Sequence, residues 1–151
     1  MDHPPILIVE DSDEDFDIVQ LLLVSIGVEN PLWRCATSAE AIEMFRRLGR
    51  RDPFGPAEPL PALMMLDLNL PGIDGRELVQ RFRRDDRLRS VPVVILSTSA
   101  NPRDIRFCYD AGANGYMVKP VDLDRLERML RAFVDFWLHA AVLPAAVEDA
   151  A

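Results

Sequence analysis

The chain of 151 residues is 49% apolar and carries 25 acids against 17 bases, a formal net charge of −8. That balance argues against direct nucleic-acid binding, which needs a basic face to neutralise phosphates, and the length fits one domain with its own core. Two cysteines without metal-ligand spacing read as reduced core thiols, and with no apolar leader and no unbroken apolar run near ~20 residues the expectation is a soluble, cytoplasmic protein with no membrane partner.

In chain order, short apolar runs alternate with helical patterns. "ILIV" (6–9) reads as a first strand. Phe16, Val19, Leu22, Leu23 and Ile26 follow at helical spacing, with Ser12 available as a cap and Gly27 as a stop. "LWRCA" (32–36) is a second strand, and Thr37 with Glu40 forms a capping box ahead of Ala41, Ile42 and Phe45. The proline- and glycine-rich stretch "GRRDPFGPAEPLP" (49–61) reads as a surface loop. "LMML" (63–66) is a third strand, followed by Asp74 as the cap of a helix carrying Leu78, Val79 and Phe82. After "VVIL" (93–96), Asn101 caps a helix with Pro102 at its first position, Asp104 in its first turn and Gly112 past its end. "GYMV" (115–118) is a fifth strand, and Asp122 caps a final helix. Apolar runs without polar alternation suit a parallel sheet covered on both faces. The fold class is therefore α/β, a doubly wound five-stranded parallel sheet with right-handed crossovers.

In such sheets function sits outside the carboxyl ends of the strands. Glu10 and Asp11 follow the first strand, Asp67 and Asn69 the third, Ser97 ends the fourth, and Lys119 follows the fifth. The acid-rich "EDSDEDFD" (10–17) is partly explained by the first turn of a helix, where acids are favoured by the macrodipole. That accounts for Asp13, Glu14, Asp15 and Asp17. It fails for Asp67, which follows a wholly apolar strand and sits at the mouth of the crevice beside the first acidic pair. Crowded carboxylates repel unless a cation binds or one stays protonated, and hard oxygen ligands in this number suit Mg²⁺. Lys119 is the only lysine in the chain, every other strongly basic side chain being arginine.

Four motifs, in order, resemble the response-regulator receiver domain of two-component signalling: "ILIVED", "LMMLDLNLPGIDG", "PVVILSTSA" and "GANGYMVKP". The resemblance covers residues 5 to 138, with 139–151 left as a C-terminal extension and tail. It implies the flavodoxin-like receiver fold, and a phosphoacceptor signalling protein with weak autophosphatase activity rather than an enzyme. Asp67 would accept a phosphoryl group from a histidine kinase. Asp11 and Asp67 would hold Mg²⁺ through their side chains, Asn69 through its backbone carbonyl, and Glu10 through a bound water. Lys119 would reach the acceptor carboxylate and then the phosphoryl oxygens, where a compact ammonium fits and a planar fork does not. A cis Lys119–Pro120 bond is expected on the same ground. Ser97 and Tyr116 would form a switch, the phosphoryl group recruiting the Ser97 hydroxyl and the Tyr116 ring turning into the space vacated. Thr98 adjoins Ser97, but the count of thirty residues from Asp67 favours Ser97. An aromatic in a strand ordinarily packs, so the role of Tyr116 rests on the resemblance.

"LDLNLPGIDGREL" and "FWLHAAVLP" resemble single-domain regulators that partner phytochrome-like kinases. The partner would be a sensor histidine kinase, of bacteriophytochrome type, or a phosphotransfer protein. With "PAAVEDA" read as a frayed tail, output is expected through protein contacts, without nucleic acid. Neither His3 nor His139 has the setting of a phosphodonor. Leu126, Leu130, Phe133, Trp137 and Ala140 form one stripe of the last helix, while Met129, Val134, Phe136, Leu138 and Leu143 spread over its other faces. A helix apolar nearly all round is usually buried all round. A continuous helix from Leu123 to Leu143 would run about 31 Å, and a homodimer built on it is expected, Phe136 and Trp137 folded back on their own domain being the alternative. Two other functions remain open. An aspartyl-phosphate phosphatase would typically carry an acid where Asn69 stands. A scaffold independent of phosphorylation would have lost an acid, the acceptor or the lysine.

Overall fold

The computed structural model describes residues 3–49 and 58–147, so most of the expected 49–61 loop lies outside the described residues. Among the described residues, strands β1 (Ile6–Val9), β2 (Leu32–Cys35), β3 (Leu63–Leu66), β4 (Val93–Ser97) and β5 (Gly115–Val118) form one parallel sheet in the order β2-β1-β3-β4-β5. The five apolar runs land where the sequence places them, β2 stopping one residue early.

The absence of polar alternation has a direct cause: both faces of the sheet are covered. Leu7, Val9, Met64, Leu66, Val93 and Ile95 point to one cluster, built with helices α2 (Ser38–Arg47), α3 (Gly75–Arg84) and α4 (Pro102–Ala111). Ile6, Ile8, Leu63, Met65, Val94 and Leu96 point to the other, built with α1 (Asp13–Ile26) and α5 (Leu123–Val134). Each helix starts at its expected cap. Ser12, Thr37, Asp74, Asn101 and Asp122 each accept a backbone N–H of their own first turn. Gly27 ends α1 at φ 104°, left-handed backbone that a side chain disfavours.

The C-terminus departs from expectation. The last helix does not run on to Leu143: after Val134 it widens into a π-helical turn, Asp135–Ala140, and Ala141 is extended. Leu143 precedes Pro144, whose ring disfavours helical backbone one residue earlier, and it too is extended at φ −93°, ψ 150°. The turn brings Leu143 back onto the α1/α5 cluster, where it is buried beside Trp137 and Leu138. Pro144–Ala146 then form a short 3₁₀ turn in what reads from sequence as frayed tail. Of the expected inner stripe, Leu126, Leu130, Phe133 and Trp137 pack inward while Ala140 is exposed. Phe136 stays 55% exposed, its ring edge-on to Trp137 at 4.9 Å. By length and composition alone, the 24 residues Leu123–Ala146 are long and apolar enough to cross a membrane. A count of unbroken apolar runs misses this because charged side chains punctuate the segment, and its inner side here packs on the sheet.

Candidate functional site

The parallel ladder places the candidate residues by register. Val9 pairs with Leu66, so Glu10 and Asp67 emerge side by side, and Ser97 pairs with Val118, so Lys119 emerges next to the end of β4. Backbone bonds extend the ladder one step past the strands: Asp67 N–H to the Val9 carbonyl at 3.0 Å, and Lys119 N–H to the Ser97 carbonyl at 2.7 Å. The main chain at Asp67 and Lys119 is thus tied into the sheet.

Within that frame Lys119 is surrounded by carboxylates. Its Nζ donates to Glu10 Oε1, to Asp15 Oδ2 at 3.1 Å and to Asp67 Oδ2 at 3.2 Å, while its own side chain is only 10% exposed. Burial opposes the ammonium charge, yet the hydrogen bond to Glu10 and the charge on Asp67 outweigh it and hold Lys119 above the usual lysine range. Burial also pushes the Glu10 carboxyl up to about 7, the Lys119 hydrogen bond opposing this and the charge on Asp67 adding to it.

Three of the expected metal residues come together. Glu10, Asp11 and Asp67 each offer an oxygen, and these lie within 4.8 Å of one another. Glu10 and Asp67 are buried and Asp11 is exposed, so the cluster is closed on the protein side and open on the other. An all-oxygen set with a solvent-facing side suits a hard cation that keeps several waters. Asn69, exposed, donates its N–H to Asp67 Oδ1 at 3.3 Å, which brings its backbone to the acidic cluster.

Ser97 is fully buried at the end of β4, and its Oγ accepts the Ser99 N–H at 3.2 Å. Tyr116 is half-buried on β5 and its hydroxyl donates to the Ser99 carbonyl at 2.7 Å. Among the described residues every peptide bond is trans, Lys119–Pro120 included, against the expectation of a cis bond. Trans is the ordinary preference of an X–Pro bond, and the sequence around it holds no local signal that reverses it.

Several neighbours escape the sequence reading. Asp15, assigned there to the macrodipole, reaches Lys119 from the first turn of α1. The signal was its place three residues past the Ser12 cap, where a helical side chain leans back over the N-terminus. Arg34 on β2 donates through Nε to the Glu10 carbonyl at 3.2 Å and pairs with Asp13 at 2.7 Å, its guanidinium 4.9 Å from the centre of the Phe16 ring. Ser99, Asp104 and Arg76 form a polar run beside Ser97. Gly75 opens α3 with its backbone against the loop that follows β3: a Cβ there would lie 2.6 Å from the Asp67 carbonyl oxygen and from Leu68 Cα. Only glycine lets the helix come that close.

A buried carboxylate, its lysine and an acidic cluster at the end of a β2-β1-β3-β4-β5 sheet agree with comparisons to known proteins. Residues 6–131 match the response regulator receiver domain. The response regulator Rcp1 of Synechocystis sp. is 35% identical over 146 residues, spanning 95% of this chain and 97% of that protein. The phosphorylated cyanobacterial phytochrome response regulator RcpA superposes with a TM-score of 0.82 at 35% identity, covering 94% of this chain and 99% of that one. The Mn²⁺-bound form of Rcp1 superposes at 0.81 with 33% identity, covering 93% and 99%. This chain belongs to the response regulator receiver family.

Proposed function

We propose that Asp67 is the phosphoacceptor of this response regulator and that a sensor histidine kinase, of the phytochrome type, is its donor. The observation that carries the reading is the buried Asp67 carboxylate, 3.2 Å from the chain's one lysine and within 4.8 Å of two further acids. An Asp67 oxygen attacks phosphorus, the P–N bond to the kinase imidazole breaks, and its electron pair stays on the imidazole. Lys119 supplies the charge that follows the developing negative phosphoryl oxygens, so the ammonium works at both ends of the transfer. Asp11 and Asp67 side chains, the Asn69 carbonyl and a water held by Glu10 would hold Mg²⁺, which neutralises the carboxylate charge and polarises the phosphoryl oxygens. Ser97 donates its hydroxyl to the phosphoryl group once it is in place, and Tyr116 turns toward the space that Ser97 leaves. The receiver unit is read as residues 5–138 with 139–151 as an extension, acting in the cytoplasm.

Acetyl phosphate with MgCl₂ tests the chemistry, since the same attack then breaks a P–O bond and releases acetate. Mass spectrometry should find one phosphoryl group on Asp67, and none on the Asp67→Asn protein, which keeps the shape but cannot form the acyl phosphate. Uptake at the normal rate on another acid in that variant would overturn the assignment. Rapid turnover of many phosphate esters would point to a phosphatase instead.

Homodimerisation through the C-terminal segment belongs to the same reading. Phe136, Val142 and Val147 are 55%, 82% and 62% exposed, apolar surface of the kind that pairing covers. Leu143 is buried in its own domain and is unsuitable as a probe of that surface. The test is sedimentation of Phe136→Glu with Val142→Glu: dimer lost while the thermal midpoint holds supports pairing here, and a wild-type monomer at tens of micromolar ends it.

A further inference from the structure

Ser97 Oγ accepts the Ser99 N–H at 3.2 Å, so one lone pair is engaged and the hydroxyl hydrogen is the end left to donate. Where that hydrogen points depends on where Ser99 is held. Its Oγ donates to Asp104 Oδ2 at 2.6 Å and accepts the Asn101 N–H at 3.3 Å, and its carbonyl accepts the Tyr116 hydroxyl at 2.7 Å. The other oxygen of Asp104 accepts Arg76 Nε at 3.1 Å and Nη2 at 2.6 Å. Arg76 Nη1 in turn lies 2.7 Å from both carboxylate oxygens of Asp74, the cap of α3. A planar fork held on two sides has one geometry, and that geometry fixes Asp104. The side chains of Arg76 and Asp104 are 28% and 18% exposed, well below a solvated surface pair. An acid in the first turn of a helix needs only the macrodipole to explain it. The macrodipole does not explain why one oxygen of Asp104 is taken by the serine beside the switch hydroxyl and the other by an arginine 28 residues away.

We infer that Asp104, clamped by Arg76, is a positioning residue for the Ser97 hydroxyl and acts through Ser99. The inference rests on the reading of Asp67 as acceptor and Ser97 as the hydroxyl that meets the phosphoryl group, and adds to it a polar run reaching from α3 through α4 to the end of β4. Without the Asp104 carboxylate, the Ser99 side chain keeps only the Asn101 amide, and its backbone only the Tyr116 hydroxyl and Ser97 itself. Its N–H then no longer holds Ser97 in one orientation.

The experiment is a double-mutant cycle on the full chain. With acetyl phosphate and MgCl₂, mass spectrometry follows the gain of the phosphoryl group on Asp67 and its loss after acetyl phosphate is removed. The proteins are wild type, Ser97→Ala, Asp104→Asn and the pair. Asp104→Asn should change these rates roughly three- to tenfold, yet by less than about twofold once Ser97→Ala has removed the hydroxyl to be positioned. Ser99→Ala runs the same cycle if Asp104→Asn does not fold. Wild-type rates for Asp104→Asn and for Ser99→Ala, or an equal effect in both backgrounds, would overturn the inference. Wild-type rates for Ser97→Ala would overturn it differently, by removing the reading of Ser97 beneath it, and absence of phosphate from wild-type Asp67 would remove the acceptor.

Discussion

Lys119 meets three carboxylates at once with a group the size of an ammonium. Lys119→Arg keeps the charge but puts a planar fork into a position only 10% exposed, with Asp67 on one side and Asp15 on another. Uptake of the phosphoryl group should slow by roughly tenfold or more, which corresponds to about 1.4 kcal/mol of lost transition-state stabilisation, and quench-flow with acetyl phosphate checks it. Wild-type kinetics would show that charge alone suffices. The cysteines make the opposite case, residues with no part in the chemistry. Cys35 and Cys108 are 2% and 0% exposed, and burial pushes both thiols up to about 11. In the unfolded chain they ionise near their ordinary 9, so between about 9 and 11 the unfolded state binds fewer protons than the folded one. Stability should therefore fall as pH rises through that window, which urea titrations at pH 8 and pH 10.5 would register. At pH 8 a thiol reagent should label the native protein far more slowly than the unfolded one, because the thiolate is the reactive form.

At the scale of elements, helix starts and strands are legible because each is decided within a few residues. A cap at Thr37 needs only Glu40 nearby, and β3 needs only an apolar run between two turns. Asp67 and Lys119 could be found because the ends of parallel strands meet without any side chain having to be placed. The polar run from Asp74 to Ser99 was not legible, since Arg76 and Asp104 are 28 residues apart and each has a sufficient local explanation. The end of α5 also misled: its apolar residues fit a continuous helix, but the chain widens into a π-helical turn after Val134 and is extended at Ala141, where the periodicity marks no stop, and Pro144 keeps Leu143 extended in turn. Leu143 therefore belongs to the core rather than to the surface. Leu143→Ala should cost about 2–4 kcal/mol in stability, as for a buried leucine, while Phe136→Ser should stay within about 1 kcal/mol. Chemical denaturation separates the two. Equal costs would mean that the π-helical turn does not seat Leu143 as described.

For the whole molecule, a net charge of −8 with acids gathered at one end of the sheet makes the fold responsive to cations. An ion that binds the folded chain and not the unfolded one adds RT ln(1 + [L]/Kd), about 2.7 kcal/mol at a hundredfold excess over Kd. Thermal unfolding should move several degrees higher when MgCl₂ replaces EDTA, and by far less in Asp11→Asn. The same shift in that variant, or with NaCl at matched ionic strength, would mean that the acids are screened rather than bridged.

The strand order sets a further division. β1 and β3, which carry the acids, each have a neighbour on both sides, while β5, which carries Tyr116 and Lys119, is an edge with β4 alone. An interior strand cannot shift without tearing two ladders, but an edge strand can give by breaking one. The acids are therefore anchored in the middle of the sheet, while Tyr116 and Lys119 hang from its margin. Amide hydrogen exchange should rank the strands in that order, Met117 and Val118 opening before Ile8 and Met65, the first loosening falling where the sheet has the least to lose.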